Sequence, residues 1–174
     1  DGHGIGLDRV ELVHTSDLPG RSGIGSSSTF CVGCINAFSG LQRQFLSKKE
    51  LFESAVTIER DVLGETVGIQ DQFAASYGGI NDVRVSREGV LETTQIGVDG
   101  MVSKELLHNM FLVFSGYSRF ATEIASQFVS DLEKKESVMQ ELLQLVDPAI
   151  CAFKKADVKE FGELLTATYD LKRA

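Results

Sequence analysis

Apolar side chains recur at spacings of three and four residues between Ser26 and Phe45, which is the pattern of an amphipathic helix packed against a core. The preceding run Val10–His14 is typical of a short strand, and residues 16–25, which contain Pro, Gly and Ser, are typical of a turn. The sequence therefore predicts a strand, and then a loop that leads directly into the N-terminus of a helix.

A second helix is predicted to begin after Ser47, because Ser47 and Glu50 have the spacing of a capping box. Ile58 and Val62 continue the apolar stripe of this helix, so they are predicted to mark its buried side. Gly64 is a typical stop, because glycine adopts the left-handed conformation that often ends a helix. We expect the helix to run up to that glycine.

The rest of the chain mixes short strands with helices. The predicted elements are a helix over Gly68–Tyr77, a hairpin of Ile80–Val85 and Val90–Ile96, a strand at Met110–Phe114, a helix over Ser118–Val146 and a last helix capped by Asp157 with Glu160. Strands and helices do not alternate strictly, as they would in a doubly wound sheet. We therefore predict the α+β class.

Composition narrows the functional classes. The formal net charge of −8 disfavours binding to nucleic acid or to an anionic membrane, because both rely on clustered Lys and Arg. The printed sequence shows neither a long apolar run nor a secretion signal, so a cytoplasmic location is expected. The first methionine is Met101 and the helical pattern is still running at Ala174, so we expect the protein to continue on both sides.

The three cysteines are too few, in a chain of this length, for a disulfide framework. Cys31 and Cys34 form a lone C-x-x-C pair inside an apolar helical pattern, and no second pair or nearby histidine completes a zinc site. We interpret both as core-packing residues, since a free cysteine behaves as a small hydrophobic side chain.

The loop Pro19–Ser28 carries the most readable chemistry. Its glycines allow close backbone approach, and the N-terminus of the following helix offers unpaired N–H groups and a positive dipole end. The serine hydroxyls add donors for phosphate oxygens and an oxygen ligand for Mg²⁺. The loop is therefore predicted to bind a nucleotide polyphosphate, and a simple helix-capping turn is the alternative.

Three better-known motifs do not fit this loop. A Walker loop requires Lys where Ser26 stands, and a dinucleotide fingerprint requires a third glycine where Ser28 stands. The nucleophile elbow of serine hydrolases requires a glycine two residues away on both sides of the serine, which Ser26, Ser27 and Ser28 all lack. The phosphate site is thus predicted to be of another type.

Two downstream carboxylates favour the phosphate interpretation. Glu59 lies beside the apolar stripe of the second helix, and Asp71 lies in the first turn of the third helix, where the dipole favours an ionised carboxylate. Because the chain has 25 Asp and Glu residues, either residue taken alone is better interpreted as an ordinary surface acid. Their order after the loop is what makes them candidates for a catalytic site.

The order and spacing of these segments resemble the GHMP kinases, the superfamily of galactokinase, homoserine kinase, mevalonate kinase and phosphomevalonate kinase. The resemblance rests on Pro19–Ser28, on Glu59 and on Gly68–Gly79. It implies that residues 1–100 are part of an N-terminal ATP-binding domain and that residues 101–174 begin a C-terminal α+β domain. It also implies an enzyme that uses ATP and Mg²⁺.

The resemblance assigns roles to individual residues. The residues implied to wrap the ATP phosphates are Gly23, Gly25, Ser26, Ser27 and Ser28. Ser27 and Glu59 are implied to hold Mg²⁺, and Asp71 is implied to lie beside the acceptor hydroxyl as the catalytic residue. The implied reaction is transfer of the γ-phosphate of ATP to a hydroxyl of a small molecule.

Within the superfamily, the runs Gln70–Phe73 and Phe114–Arg119 are most similar to those of D-glycero-D-manno-heptose 7-phosphate kinases, which phosphorylate an anomeric hydroxyl. A sugar phosphate needs cations to hold its own phosphate, and we nominate Arg119 and Lys172. A galactokinase-like enzyme, a catalytically silent relative that binds sugar and nucleotide, and a plain interaction domain are the alternatives. Homodimerisation is left open.

Overall fold

The computed structural model describes residues 10–18, 20, 22–97, 100–114, 116 and 135–173. The helices and strands are α1 (Ser26–Leu41), α2 (Lys48–Thr57), a π-helical turn (Ile58–Val62), α3 (Gln70–Tyr77), β1 (Asn81–Val85), β2 (Leu91–Gln95), α4 (Gly100–His108), α5 (Glu136–Gln144), α6 (Val146–Lys155) and α7 (Val158–Arg173). The described residues fall into two compact units that divide between Gly78 and Gly79, with residues 114 and 116 in the first unit. The division into domains at residue 100 stays a prediction.

The first unit is a cluster of three helices, α1, α2 and α3, which pack against one another. The buried apolar side chains between these helices are Val32, Leu51, Phe52, Ala55 and Phe73. The ring of Phe52 meets the ring of Phe73 edge to face, with centroids 5.6 Å apart, and Phe73 stacks on Tyr77 at 4.1 Å. Burying one such side chain contributes about 1.5–3 kcal/mol, so these contacts hold the three helices in place.

The predicted capping box at the start of α2 is confirmed. The Glu50 N–H donates to the Ser47 hydroxyl at 3.2 Å, while the Ser47 N–H and the Ser47 hydroxyl both donate to the Glu50 carboxylate at 2.7 Å. The bond from the Ser47 hydroxyl, followed by the bond from the Ser47 N–H, lowers the pKa of Glu50 below its ordinary value.

Ser47→Ala is expected to lower the free energy of unfolding by about 1 kcal/mol, because the Glu50 N–H loses its acceptor. Since the folded-state pKa of Glu50 is lowered, the stability that its carboxylate contributes is present above the ordinary carboxyl pKa and is lost as the pH falls through the folded-state value. The difference between wild type and variant should therefore narrow on acidification.

Urea unfolding from neutral pH into the acid range measures this difference. Thr57→Ala is the control, because Thr57 lies in the last turn of α2 and its hydroxyl makes no capping hydrogen bond in the described structure. Equal losses of stability in the two variants would show that the capping box does not stabilise α2.

The second helix is not continuous up to Gly64, because α2 gives way to a π-helical turn at Ile58. The Leu63 N–H donates to the Ile58 carbonyl, five residues back, at 2.9 Å. A π turn adds a residue to the helical turn and rotates the following side chains around the axis. The prediction that Val62 lies on the buried side is wrong: Val62 is 71% exposed, whereas Glu59 is only 1% exposed.

The predicted hairpin is confirmed as the antiparallel pair β1 and β2, in which Asn81 lies opposite Gln95 and Val85 opposite Leu91. The connecting turn closes through a hydrogen bond of 2.9 Å from the Ser86 N–H to the Val90 carbonyl, and Gly89 adopts a φ of 80°. A left-handed residue in this turn is what glycine provides at little cost.

The predictions of strands at Val10–His14 and Met110–Phe114 are wrong, because both runs lie outside regular structure. Both are also exposed, Val13 by 73% and Phe111 by 90%. A strand requires hydrogen bonds to a neighbouring strand, and within the described residues the sheet consists of β1 and β2. Strand-like composition alone is not sufficient.

The second unit combines the hairpin with α4, α5, α6 and α7, and α4 is a helix that the sequence pattern did not predict. Arg84 on β1 donates to Asp147 on α6 at 2.6 Å, which links the hairpin to that helix. The predicted cap of the last helix is confirmed, since the Glu160 N–H donates to the Asp157 carboxylate at 2.9 Å.

Only the end of the predicted Ser118–Val146 helix is described, and residues 118–134 lie outside the described residues. Among the helices described, none has the length and apolar character needed to cross a membrane.

Candidate active site

Among the described residues, the N-terminus of α1 that follows the loop has no side-chain capping hydrogen bond. Gly25 is the N-cap residue, with a φ of 70°, and the Thr29 N–H donates to its carbonyl at 3.0 Å. Within the described residues, the first turn of α1 holds no acidic side chain. The N–H groups of this turn and the positive end of the helix dipole are therefore available to an anion.

Two further features of the loop favour a phosphate. Gly23 has a φ of 79°, and a Cβ atom built on it would meet nothing within 4 Å in the described structure, so its backbone is open to close approach. The Ser22 hydroxyl is buried and has no hydrogen-bond partner among the described residues. A buried hydroxyl without a partner is costly, and a phosphate oxygen would satisfy it.

Glu59 forms the centre of a buried polar cluster with Ser28 and Gln72. The Ser28 hydroxyl donates to Glu59 Oε2 at 2.9 Å, and the Gln72 amide nitrogen donates to the same oxygen. Glu59 and Gln72 are each 1% exposed, and Ser28 is 5% exposed. Glu59 reaches this position because the π-helical turn carries it towards α1 and α3 rather than to solvent.

One oxygen of Glu59 stays without a partner. Oε1 is buried and accepts no hydrogen bond from the described residues. An uncompensated carboxylate oxygen is costly in a protein interior, and a hard cation such as Mg²⁺ would compensate it. The described residues contain no cluster of three metal-binding side chains. Mg²⁺ in kinases is typically held by one or two carboxylates with the phosphates of the nucleotide, so this donor set fits Mg²⁺ bound with ATP.

Asp71 lies against the loop. A Cβ atom built on Gly25 would stand 3.1 Å from Asp71 Cγ and 3.3 Å from Asp71 Oδ2, so the carboxylate packs directly on the glycine that begins α1. Asp71 itself is exposed. The first turn of α3 thus brings a solvent-accessible carboxylate to the site where the loop would hold phosphates.

The structure brings together some of the residues nominated from the sequence and not others. Glu59 is paired with Ser28, while Ser26 and Ser27 are exposed at the start of α1. Arg119 lies outside the described residues. Lys172 is exposed on α7 in the second unit, on the rim of a groove lined by Leu145, Val146 and Ala149. The roles of all these residues stay predictions.

Cys31 and Cys34 are free thiols on α1, and both are half-buried rather than fully enclosed in the core. Burial raises the pKa of the Cys31 thiol, and the negative charge of Glu59 raises it further. The first residue of the C-x-x-C pair is therefore a poor nucleophile at neutral pH, which agrees with a packing role.

Cys31 is expected to be alkylated by iodoacetamide more slowly than Cys151, which is exposed on α6. The pH midpoint of the Cys31 rate should lie above that of an ordinary cysteine, because less thiolate is present at each pH. Mass spectrometry of the labelled peptides measures both rates in one sample.

Glu59→Gln separates the charge of Glu59 from burial, the largest cause of the raised pKa of Cys31. Removing the carboxylate charge should lower the Cys31 midpoint, but not to the ordinary value, since burial is the larger cause. The alkylation rate of Cys151 in the same sample serves as the internal control. A Cys31 rate equal to that of Cys151 would contradict the raised pKa.

Comparison with known proteins agrees with this geometry. Residues 2–79 match the family described as GHMP kinases N terminal domain. Residues 2–79 are therefore similar in sequence to the N-terminal domain of GHMP kinases. The matched segment contains the loop, Glu59, Asp71 and Gln72.

Three relatives match the chain well beyond residues 2–79. A D-glycero-alpha-D-manno-heptose 7-phosphate kinase of Campylobacter jejuni is 30% identical over 164 residues, which are 92% of this chain and 48% of the relative. A mevalonate kinase of Methanocaldococcus jannaschii is 24% identical over 159 residues, 90% of this chain and 47% of the relative. The crystal structure of a D-glycero-D-manno-heptose 1-phosphate kinase from Bacteroides thetaiotaomicron matches with a TM-score of 0.77 and 27% identity, over 91% of this chain and 46% of that one.

These matches confirm the predicted α+β, GHMP kinase-like fold. The chain spans about half the length of the curated relatives it matches. The activity of the whole protein is therefore treated below as a proposal.

The sequence did not predict the contacts of three polar residues in the site. Gln72 lies in a run that resembles the GHMP kinases but had no predicted role. Ser28 was predicted to bind phosphate rather than Glu59, and Ser22 had no predicted role of its own. The position of Gln72 in the helix could have indicated its role. It shares a helix face with the buried Phe73 and Ser76, where an amide without a hydrogen-bond partner would be costly.

Proposed function

We propose that this chain is part of an ATP-dependent kinase that transfers the γ-phosphate of ATP to a hydroxyl of a sugar or sugar phosphate. The main support for the proposal is the close approach of Asp71 to Gly25. The Asp71 carboxylate thus lies beside the N-terminus of α1, where a phosphate could bind. The buried carboxylate of Glu59, one oxygen of which accepts no hydrogen bond from the described residues, lies in the same unit and would supply a cation ligand.

Each part of the site has a task in such a transfer. The N–H groups at the start of α1, with the hydroxyls of Ser22, Ser26 and Ser27, bind the phosphates of ATP. Glu59 would hold Mg²⁺, together with Ser27 as the resemblance implies. Bound Mg²⁺ would neutralise charge on the phosphates. Phosphoryl transfer depends mostly on this positioning and charge neutralisation.

Asp71 acts on the acceptor. Its carboxylate accepts the proton of the acceptor hydroxyl, the acceptor oxygen forms a bond to the γ-phosphorus, and the bond between that phosphorus and the bridging oxygen breaks to release ADP. The proton stays on Asp71 until it is lost to solvent. The exposure of Asp71 is compatible with this role, because the acceptor must reach it from outside the protein.

The acceptor is proposed from the relatives. Two of the three proteins reported above are named as heptose phosphate kinases, so we propose a heptose phosphate, with D-glycero-D-manno-heptose 7-phosphate as the first candidate. Its phosphate requires a cation, for which Arg119 and Lys172 remain our nominations. Galactose is the alternative from the sequence, and mevalonate is the alternative from the archaeal relative.

A panel of acceptors tests this proposal with the full-length protein. We expect kcat/KM for the heptose 7-phosphate to exceed that for the unphosphorylated heptose, for galactose and for mevalonate. Arg119→Ala should then be costly only for the phosphorylated sugar, by about 1.5–3 kcal/mol for a charged hydrogen bond. Equal losses on both sugars would remove Arg119 from the site, and a preference for galactose would overturn the choice of acceptor.

A further inference from the structure

The buried cluster around Glu59 contains a residue to which the proposed reaction gives no task. Gln72 is 1% exposed, and its amide nitrogen donates to Glu59 Oε2. A carboxylate oxygen only accepts hydrogen bonds, so the amide must present its NH₂ group to it. Ser28 donates to the same oxygen from α1, at 2.9 Å. Both donors of the cluster thus converge on one oxygen of Glu59 and leave the other oxygen without a partner.

This asymmetry has a physical consequence. Two donors on Oε2 fix the rotation of the carboxylate group. The other oxygen, Oε1, is thereby held in one direction; it is buried and has no partner among the described residues. A carboxylate that was free to rotate would be a poorer ligand for a hard cation.

Gln72 also lies next to Asp71 in the first turn of α3. Asp71 packs on Gly25 at the start of α1, and Gln72 reaches Glu59 on the π-helical turn. A single helical turn therefore holds the side chain that meets the phosphate loop and the side chain that supports the cation ligand. This arrangement fixes the position of the two carboxylates relative to each other.

We propose that Gln72 is a positioning residue, which holds the Glu59 carboxylate in the orientation that binds the cation accompanying the nucleotide. Ser28 assists it from α1. The inference rests on the proposed function, because it assigns Gln72 to the same cation site. Groups that support a metal ligand in this way typically change metal affinity by about 10–100-fold when they are removed.

Direct metal binding provides the test. The probe is Mn²⁺ with a non-hydrolysable ATP analogue, and binding to the full-length protein is followed by electron paramagnetic resonance. Gln72→Met keeps the length of the side chain and removes the donor. We expect its dissociation constant for Mn²⁺ to rise by about 10–100-fold, while the affinity for the metal-free nucleotide changes little.

A control and a second variant keep the test independent of folding. Ser76→Ala is the control, because Ser76 lies one turn further along the buried face of α3 and its hydroxyl has no partner in the described structure. We expect wild-type Mn²⁺ affinity for it. Ser28→Ala removes the other donor to Glu59 with a smaller change in volume, and should weaken Mn²⁺ binding in the same direction even if Gln72→Met does not fold.

The outcomes separate the inference from the function. Wild-type protein that binds Mn²⁺ with the nucleotide, together with Gln72→Met and Ser28→Ala variants that bind it equally well, would overturn the role of Gln72 and leave the kinase proposal standing. Weakened binding in Ser76→Ala to the same extent as in Gln72→Met would also overturn it, since the effect would then come from the packing of α3. Wild-type protein that binds no Mn²⁺ with the nucleotide would overturn both.

Discussion

Asp71→Asn is expected to lower kcat by about 10²–10⁴-fold in the full-length protein, while the affinity for ATP stays close to that of wild type. The change keeps the size and polarity of the side chain but removes the proton acceptor, and general-base catalysis contributes on this scale. Asp71 is exposed and lies against Gly25, so the variant should fold normally.

Steady-state kinetics with varied acceptor and ATP, together with calorimetric titration of ATP, measure the two parts of this prediction. Asp61→Asn is a matched control, because Asp61 is an exposed carboxylate on the π-helical turn that we assign no role. A rate above half of the wild-type value for Asp71→Asn would exclude Asp71 as the general base. A parallel loss of ATP affinity would instead place it at the nucleotide.

Gly25→Ala is expected to lower kcat by about 100-fold, because a Cβ atom at this position would stand 3.1 Å from Asp71 Cγ and displace the carboxylate. A misplacement of the order of 1 Å in a catalytic site costs about this much. The left-handed φ of 70° adds backbone strain of about 1–3 kcal/mol, so the variant should also be less stable.

Gly23→Ala separates strain from displacement. Gly23 has a similar φ of 79°, but a Cβ atom there would meet no other atom within 4 Å in the described structure. Both variants should lose stability and bind ATP less tightly, since both change the loop. The additional loss of kcat should appear only in Gly25→Ala, and equal losses of kcat would mean that the contact with Asp71 does not matter for catalysis.

Local sequence patterns predicted most helices of the first unit correctly, because their determinants are close together in the chain. The capping box of Ser47 and Glu50 spans three residues, and the glycines before α1 directly precede the helix they begin. The hairpin was predicted for the same reason. Its two strands are joined by a short turn with a glycine in the left-handed conformation.

The errors arose where the structure depends on distant partners or on an irregular turn. The π-helical turn moved Val62 to the surface and Glu59 into the interior, and a regular helical period cannot anticipate this insertion. Val10–His14 and Met110–Phe114 have strand-like composition, but a strand is defined by its hydrogen-bonded neighbour.

The sequence predicted which residues belong to the candidate site better than it predicted their contacts. Glu59 and Asp71 were nominated from their order along the chain and from the resemblance. The support of Glu59 by Ser28 and Gln72 joins three separate elements, α1, the π-helical turn and α3. Such a convergence becomes visible only once the helices are packed.

³¹P nuclear magnetic resonance of the full-length protein with MgATP and D-glycero-D-manno-heptose 7-phosphate shows whether phosphate is transferred to the sugar. We expect the γ-phosphate signal of ATP to disappear, ADP to form, and a new phosphate signal coupled to the anomeric proton of the sugar to appear in equal amount. All three changes should require the acceptor. Release of inorganic phosphate without a new sugar phosphate, or unchanged ATP with every acceptor of the panel, would contradict the proposed function.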